Sequence, residues 1–343
     1  MTAILLIPIY QPTAKTLAFM QELSQQIAPI IVVDDGSGPD YQAAFQEIES
    51  LGAEVLTYPD NLGKGHALKA GFKFIQENYP NRSVVTADGD GQHTISDISQ
   101  MLQRTESLRE QQFLLGVRSF SKATTPTRSL FGNRMTSLIY YLSSGIRLED
   151  TQTGLRGFPS ASLPDLLLIK GQRFEYEMNQ LLELPQADYQ IETLPIATVY
   201  EEKNHLSHFR TIQDSFLVYR PLVAFLLSSL SSALVDVTLF VLIAAIFGQQ
   251  AQMLLVATVT ARILSGIFNY QVNRKLVFQN KTNIKQSFWK YSLLFGSQLL
   301  LSWLGVTLLS SVIQSILISK LVIDFILFFF SFSIQKRVVF TPR

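Results

Sequence analysis

The stretch Ser83-Val84-Val85-Thr86-Ala87-Asp88-Gly89-Asp90-Gly91-Gln92-His93 decides how the first half of this chain is read. A short apolar run ending in two carboxylates one residue apart is a buried strand that delivers acidic side chains to its carboxyl end. With the Gln92 amide two residues further on, Asp88 and Asp90 form a hard-oxygen set for Mg²⁺ or Mn²⁺. Such an ion would take its remaining ligands from a diphosphate and water. Asp-x-Asp alone is a weak signal, and its neighbours in the chain give it weight.

Outward from that strand, apolar runs alternate with helical patterns: residues 3–9 then 13–26, 29–33 then 41–50, 53–58 then 64–78, and 83–87 then 95–109. The alternation predicts a parallel sheet with helices on both faces, and in such sheets ligands bind beyond the carboxyl ends of the strands. Polar motifs sit at those ends. The first strand exits into Ile7-Pro8-Ile9-Tyr10. The second exits into Asp34-Asp35-Gly36-Ser37, where Gly36 permits a tight turn and the carboxylates either accept hydrogen bonds from a base or ribose or cap the turn. The third is followed by Asn61-Leu62-Gly63-Lys64-Gly65-His66, glycines and a lysine opening a helix, which suits a phosphate. That loop lacks P-loop spacing, so kinase-like or ATPase chemistry is not supported.

Composition divides the chain. Its 343 residues carry 28 Lys plus Arg against 27 Asp plus Glu, which disfavours a globally basic nucleic-acid binder. From Pro221 onward only Asp236 and Asp324 are acidic against ten basic residues, whereas the first 220 residues hold 25 acidic and 18 basic. The absence of cysteine excludes disulfides, thiolate metal sites and cysteine nucleophiles. The opening MTAILLIPIY has no basic residue before Lys15 and is interrupted by Pro8, so it reads as a first strand and not as a signal peptide.

In the second half, four apolar stretches are long enough to span a bilayer, at about 222–247, 252–272, 291–313 and 316–334. Arg274, Lys275, Lys281, Lys285 and Lys290 lie between the second and third spans, and Lys336, Arg337 and Arg343 follow the fourth. The positive-inside bias therefore predicts a multi-pass protein of the cell membrane with the first half and both termini in the cytoplasm. Asp236, Arg262, Lys320 and Asp324 fall inside spans, where they are expected to face one another or a wet cavity. The spans end in Asn273-Arg274-Lys275-Leu276-Val277-Phe278 and Gln335-Lys336-Arg337-Val338-Val339-Phe340, which reads either as a duplicated hairpin or as the common basic-then-aromatic interface ending. Between the halves, Phe209, Ile212, Phe216 and Tyr219 form a stripe on an expected amphipathic helix at about 206–220, ending at Arg220-Pro221. It either lies on the membrane surface or packs on the sheet.

The order of motifs in roughly the first 210 residues resembles the family 2 glycosyltransferases with the GT-A fold. Within them the closer similarity is to dolichyl- and polyprenyl-phosphate sugar synthases, on Gly116-Val117-Arg118, the Arg128 to Arg134 segment, Asp150-Thr151-Gln152-Thr153-Gly154-Leu155-Arg156, Phe174-Glu175-Tyr176-Glu177 and Ser207-His208-Phe209-Arg210. The resemblance implies a Rossmann-like α/β GT-A domain over residues 1–218, followed by an all-α four-span transmembrane domain over 219–343. It implies transfer of a sugar from a nucleotide diphosphate to a lipid phosphate. Carried over by motif, Pro8, Tyr10, Asp34 and Asp35 serve the nucleoside. Lys64 and Gly89 serve the diphosphate, and Asp88, Asp90 and Gln92 hold the metal. Arg118 with Arg128 takes the acceptor phosphate, and Arg134, Arg156 and Arg210 are further phosphate contacts, the alternative for the arginines being a solvated face; His208 is either a phosphate contact or a core or turn residue. Glu177 is read as a helix-surface or salt-bridge residue.

The four spans with their basic-aromatic endings resemble the GtrA-like membrane family, associated with polyprenyl-linked sugars and proposed to move them across the bilayer. The pairing implies UDP-glucose as first donor, with UDP-N-acetylglucosamine and GDP-mannose as alternatives, and undecaprenyl phosphate as acceptor. The product would serve a cell-wall or surface polysaccharide. A processive polysaccharide synthase is disfavoured because the only tryptophans, Trp289 and Trp303, lie outside the first half, which therefore lacks a Gln-x-x-Arg-Trp motif. A transporter or scaffold with a non-catalytic sugar-nucleotide domain is the competing class, and homo-oligomerisation is left open.

Overall fold

The computed structural model describes residues 3–118, 127–197, 211–248, 250–280 and 283–340. The chain divides into two compact units, Met1–Tyr140 with Arg147–Val218, and Tyr141–Ile146 with Tyr219–Arg343.

In the first unit the elements are β1 (Ile4–Ile9), α1 (Ala14–Ser24), β2 (Ile30–Asp34), α2 (Gln42–Ser50), β3 (Glu54–Thr57), α3 (Lys64–Asn78), β4 (Val84–Thr86), α4 (Ile95–Thr105), β5 (Gln112–Arg118), α5 (Thr127–Ser144), β6 (Arg156–Phe158), α6 (Leu163–Leu168), α7 (Glu175–Glu183) and β7 (Gln190–Ile196). Ile4 to Ile7 have no exposed surface, as a central strand covered on both faces requires. Helix α3 crosses β1 closely, and a Cβ on Gly71 would lie 2.3 Å from Leu6 Cδ1. Thr13 begins α1 in a reciprocal cap with Thr16, and Thr94 begins α4 by accepting from the Asp97 amide.

The seven strands run in the order β3-β2-β1-β4-β6-β5-β7. The four strands expected from the sequence, β1 to β4, pair in parallel, and the sheet departs from that pattern in one place. Strand β6 lies antiparallel between β4 and β5, pairing Thr86 with Arg156 and Leu115 with Arg156, while the other pairings are parallel. The sheet is thus mixed, and the inserted β6 brings residues 150–156 alongside the end of β4.

The second unit contains the last four residues of α5, α8 (Thr211–Phe247) from Tyr219 onward, α9 (Ala251–Val272), α10 (Ile284–Ile313) and α11 (Ile316–Ile334). Four segments qualify as membrane spans, Leu222–Phe247, Gln252–Val277, Ile284–Ile313 and Ile316–Val339. Their outward faces are apolar: Leu234, Ile246, Leu255, Leu300, Leu308 and Leu321 are all exposed, the inversion expected of helices solvated by lipid. The expected break at Arg220-Pro221 does not occur, since α8 runs through both residues as one helix. The side chains of the proposed amphipathic stripe lie outside the described residues.

The two basic-aromatic endings share one local geometry and touch. Asn273–Val277 and Gln335–Val339 each form a π-helical turn, closed by Phe278 N donating to Asn273 O and Phe340 N donating to Gln335 O. Asn273 Nδ2 donates to Gln335 Oε1 at 2.9 Å, and the Phe278 and Phe340 rings stack 5.2 Å apart. Both amides are buried. The intramembrane charges resolve into two pairs: Arg262 lies 3.4 Å from Asp236, and Lys320 lies 2.8 Å from Asp324. Asn273→Leu should strand the Gln335 amide oxygen and cost about 1–3 kcal/mol, while adding Gln335→Leu should recover part of that loss. Unfolding of the full chain in mixed micelles, followed by circular dichroism, measures both.

Candidate active site

The end of β4 leads directly into Asp88-Gly89-Asp90. Thr86 Oγ1 donates to Gly154 O at 2.8 Å, which ties the strand to the segment before β6. A Cβ on Gly154 would sit 2.6 Å from both carboxylate oxygens of Asp88, so only glycine leaves room for that side chain. Gly89 is equally confined, 2.9 Å from Ile9 Cγ1 when a Cβ is added.

The glycine-lysine loop is locked beside these residues by Asp35. Tyr58 donates its hydroxyl to Asp35 Oδ1 at 2.7 Å, Leu62 N to the same oxygen at 3.1 Å, and Gly63 N to both oxygens at 3.0 Å. Asn61 Nδ2 donates to Asp35 Oδ2 and to its carbonyl. Gly36, at φ 67°, lets the backbone of Asp60 approach where any Cβ would collide. The loop's other side packs on residues 172–176: His66 N donates to Gln172 O at 2.8 Å, and a Cβ on Gly65 would meet Tyr176 Cβ at 2.6 Å. Burial, then the Asp35 hydrogen bond, pushes the Tyr58 phenol well above its ordinary pKa, so it stays a donor to Asp35.

This framework delivers Lys64, the first residue of α3, to Asp88. Its Nζ lies 2.6 Å from Asp88 Oδ1 and 2.8 Å from each oxygen of Glu177, while His93 Nε2 lies 3.4 Å from Asp88 Oδ2. Burial alone would depress the lysine, but Asp88 and then Glu177 outweigh it and hold its pKa above the ordinary value. Asp88 shows the converse: burial would raise its carboxyl, yet Lys64 and His93 hold it well below the usual range. Asp90 is pushed upward by burial and then by the charge of Asp88.

Among the described residues no three His, Cys, Asp or Glu side chains cluster in metal-ligating geometry. The donor set is instead two carboxylates and the half-buried Gln92, whose backbone N donates to Asp90 Oδ1 at 3.0 Å. Two acidic oxygen donors, with an ammonium already standing on one of them, fit a hard divalent cation completed by outside ligands.

The other expected site residues separate. Pro8 and Tyr10 are half-buried at the end of β1, and Tyr10 OH accepts from Gln11 Nε2. Asp34 and Asp35 are buried and committed to the protein, Asp34 Oδ1 accepting from Ser37 N and Asp35 holding the Asn61–Gly63 loop. Arg118 is partly exposed and forks onto the fully buried Asp150, Nε to Oδ2 at 2.6 Å and Nη2 to Oδ1 at 3.1 Å. Arg134 is exposed on α5, and Arg128 lies in the first turn of that helix with its side chain outside the described residues. His208 and Arg210 also lie outside them.

Arg156 is corrected. It is 1% exposed, donates to the carbonyls of Thr153 and Glu177 and to Gln180 Oε1, and so staples β6 to α7 instead of facing a ligand. The helix-surface reading of Glu177 is corrected too, because it is buried, while its salt-bridge reading holds. Asp150 carries no signal of its own in the sequence that marks it as the partner of Arg118. It lies in the connection before β6 while its partner Arg118 ends β5, and no local spacing announces the pair.

Residues 5–163 match Glycosyl transferase family 2, and residues 224–340 match the GtrA/DPMS transmembrane domain. The chain joins a family 2 glycosyltransferase domain to a GtrA/DPMS membrane domain. Among curated proteins it is similar to an uncharacterised protein of Methanocaldococcus jannaschii, 28% identical over 177 residues, which are 50% of this chain and 71% of that protein. It is also similar to the UDP-N-acetylglucosamine–dolichyl-phosphate N-acetylglucosaminyltransferase of Methanococcus voltae, 27% identical over 191 residues, 50% of this chain and 75% of that protein. Among solved structures it is similar to glucosyl-3-phosphoglycerate synthase from Mycobacterium tuberculosis, at 16% identity and a TM-score of 0.46, covering 66% of this chain and 79% of that one.

In this glycosyltransferase domain, Gly154→Ala should displace the Asp88 carboxylate and lower transfer on the order of 10-fold or more while the fold persists. Steady-state rates set beside near-ultraviolet circular dichroism check both halves of that expectation.

Proposed function

We propose that the protein transfers a hexose, with inversion at the anomeric carbon, from a nucleotide diphosphate sugar to polyprenyl phosphate at the cytoplasmic face of the membrane. The observation that carries this reading is the Asp88 and Asp90 pair at the carboxyl end of β4, with Gly154 making room for it and Lys64 balancing its charge. The membrane domain supports a lipid-borne acceptor, and so does the lipid-phosphate acceptor in the name of the Methanococcus voltae relative.

The acceptor explains why no general base is needed. A phosphate monoester has a second pKa near about 6 and is already largely a dianion at neutral pH, so its oxygen attacks without losing a proton to the protein. The C–O bond to the sugar forms as the bond from the anomeric carbon to the nucleoside diphosphate breaks, and the diphosphate leaves with the electron pair. Asp88, Asp90 and Gln92 would hold the divalent cation, which offsets charge on the diphosphate when bound. Lys64 supplies further positive charge beside that position. Arg118, its guanidinium oriented by Asp150, would meet the acceptor phosphate together with Arg128 and Arg134, screening one anion from the other. Pro8 and Tyr10 would border the nucleoside.

UDP-glucose is the first donor reading. UDP-N-acetylglucosamine is the second, and the sugar in the name of the Methanococcus voltae relative favours it. Purified full-length protein with polyprenyl phosphate, Mn²⁺ or Mg²⁺ and labelled donors should yield a lipid-extractable sugar phosphate identified by mass. No such product with any common donor would leave the transporter or scaffold reading in its place. Asp90→Ala should reduce transfer by at least about 100-fold without altering helical content, and chelation of divalent cations should do the same reversibly.

The orientation has its own test, helped by the absence of native cysteine. A single cysteine at Lys285→Cys should react with an impermeant maleimide only after cells are opened, and one at Gln249→Cys should react in intact cells. The reverse pattern would place the transferase domain outside.

A further inference from the structure

Lys64 stands between two carboxylates with different duties. Its Nζ is 2.6 Å from Asp88 Oδ1 and 2.8 Å from both oxygens of Glu177. A divalent cation and an ammonium compete for the same lone pairs of Asp88, because a ligating carboxylate must present free oxygens to the metal. When the cation takes Asp88, the lysine needs another anionic partner. Among the described residues, Glu177 is the only other carboxylate within hydrogen-bond reach of Nζ.

Glu177 is built to be that fixed partner. Its side chain is 9% exposed, and its backbone carbonyl accepts from the buried guanidinium of Arg156. The preceding residue, Tyr176, packs against Gly65 next to Lys64, and its hydroxyl donates to Leu166 O. Glu177 therefore cannot follow the lysine, and the lysine can shift between the two carboxylates without leaving the site. An ammonium held in this way stays beside an arriving diphosphate and does not swing out to water.

We infer that Lys64 is a resident counter-cation of Asp88 which the divalent cation displaces, and that Glu177 is the positioning residue that receives it and thereby sets the affinity of the site for the cation. The inference rests on the metal-dependent transfer proposed above and adds a competitor and its anchor to that site.

The test titrates Mn²⁺ alone into the full-length protein in micelles and reads free Mn²⁺ from its paramagnetic resonance signal, with no donor or acceptor present. Wild type should show one site that Asp90→Ala abolishes. Lys64→Met should bind Mn²⁺ at least about fivefold tighter, because Asp88 loses its competitor. Glu177→Gln should bind it at least about fivefold more weakly, because Lys64 then closes on Asp88 as its remaining partner. In the Lys64→Met background the Glu177→Gln change should shrink to about twofold or less, since Glu177 acts through the lysine.

Wild-type affinity in Glu177→Gln overturns the inference, and so does an equal loss in both backgrounds, which a direct or merely structural role would give. If Glu177→Gln does not fold, Glu177→Asp, with its carboxylate drawn back by one methylene, should weaken Mn²⁺ binding in the same lysine-dependent way, and unchanged binding there overturns it equally. The two failures are distinguishable. A wild type with no Mn²⁺ site removes the metal-dependent reading together with the inference, whereas a wild-type site that is indifferent to Glu177 removes the inference alone.

Discussion

Asp88 and Asp90 leave the end of a buried strand one residue apart, and carboxylates that close raise each other's energy unless positive charge sits with them. The surroundings answer that repulsion. Lys64 and His93 approach Asp88 from different sides, and Asp90 rises toward protonation where Asp88 is held ionised. Two neighbouring carboxylates are thereby held in different electrostatic states, one kept anionic and the other pushed upward. The single charge of Lys64 is shared between Asp88 and Glu177.

Delivering Lys64 to that place takes most of the loop chemistry in the domain. The residues of Asn61-Leu62-Gly63 point their donors at one carboxylate, Asp35, and the glycines at 36, 63 and 65 allow backbone contacts that a Cβ would forbid. Asp35 thus acts at a distance from the chemistry, fixing the start of α3. On the far side Arg156 spends its donors on Thr153 and α7, so the segment that makes room for Asp88 and the helix that carries Glu177 share one buried fastener. Elements distant in sequence thus meet at the site through a few buried polar groups.

The first four strand-helix units were legible because their signals are local. Periods of two and 3.6 residues, and glycines at turns, place β1 to β4 and α1 to α4 within a few residues of where they lie. The positions of Asp88 and Asp90 after β4, and of Lys64 at the start of α3, were legible for the same reason. Strand β6 was not, since Arg156-Gly157-Phe158 is too short to show a period and its antiparallel direction depends on a long connection. That one strand explains the errors around it. Arg156 read as a phosphate contact because nothing local says that it is buried between β6 and α7, and the fork from Arg118 to Asp150 joins residues whose pairing exists only once β5 and β6 are neighbours.

The membrane domain shows the opposite balance, with the spans plain and their internal logic hidden until contacts are compared. The same sequence offset separates Asn273 from Gln335, Phe278 from Phe340, Ser265 from Leu327 and Arg262 from Asp324, and another single offset relates Ser232 to Gln298 and Asp236 to Ser302. These positions also make corresponding contacts: Ser232 Oγ donates to Ser265 O as Gln298 Nε2 donates to Leu327 O, and Asp236 meets Arg262 as Ser302 meets Asp324. Repetition of contacts, beyond repetition of a basic-aromatic ending, is what a duplicated hairpin requires, and interfacial preference alone would not produce it. The copies then diverge at their charges. In the first hairpin the ion pair joins two helices, Asp236 to Arg262, whereas in the second Lys320 and Asp324 lie on one helix and reach the other through Ser302. An ion pair between helices ties them directly in a medium that offers no water in exchange, while a pair within one helix reaches its neighbour only through Ser302.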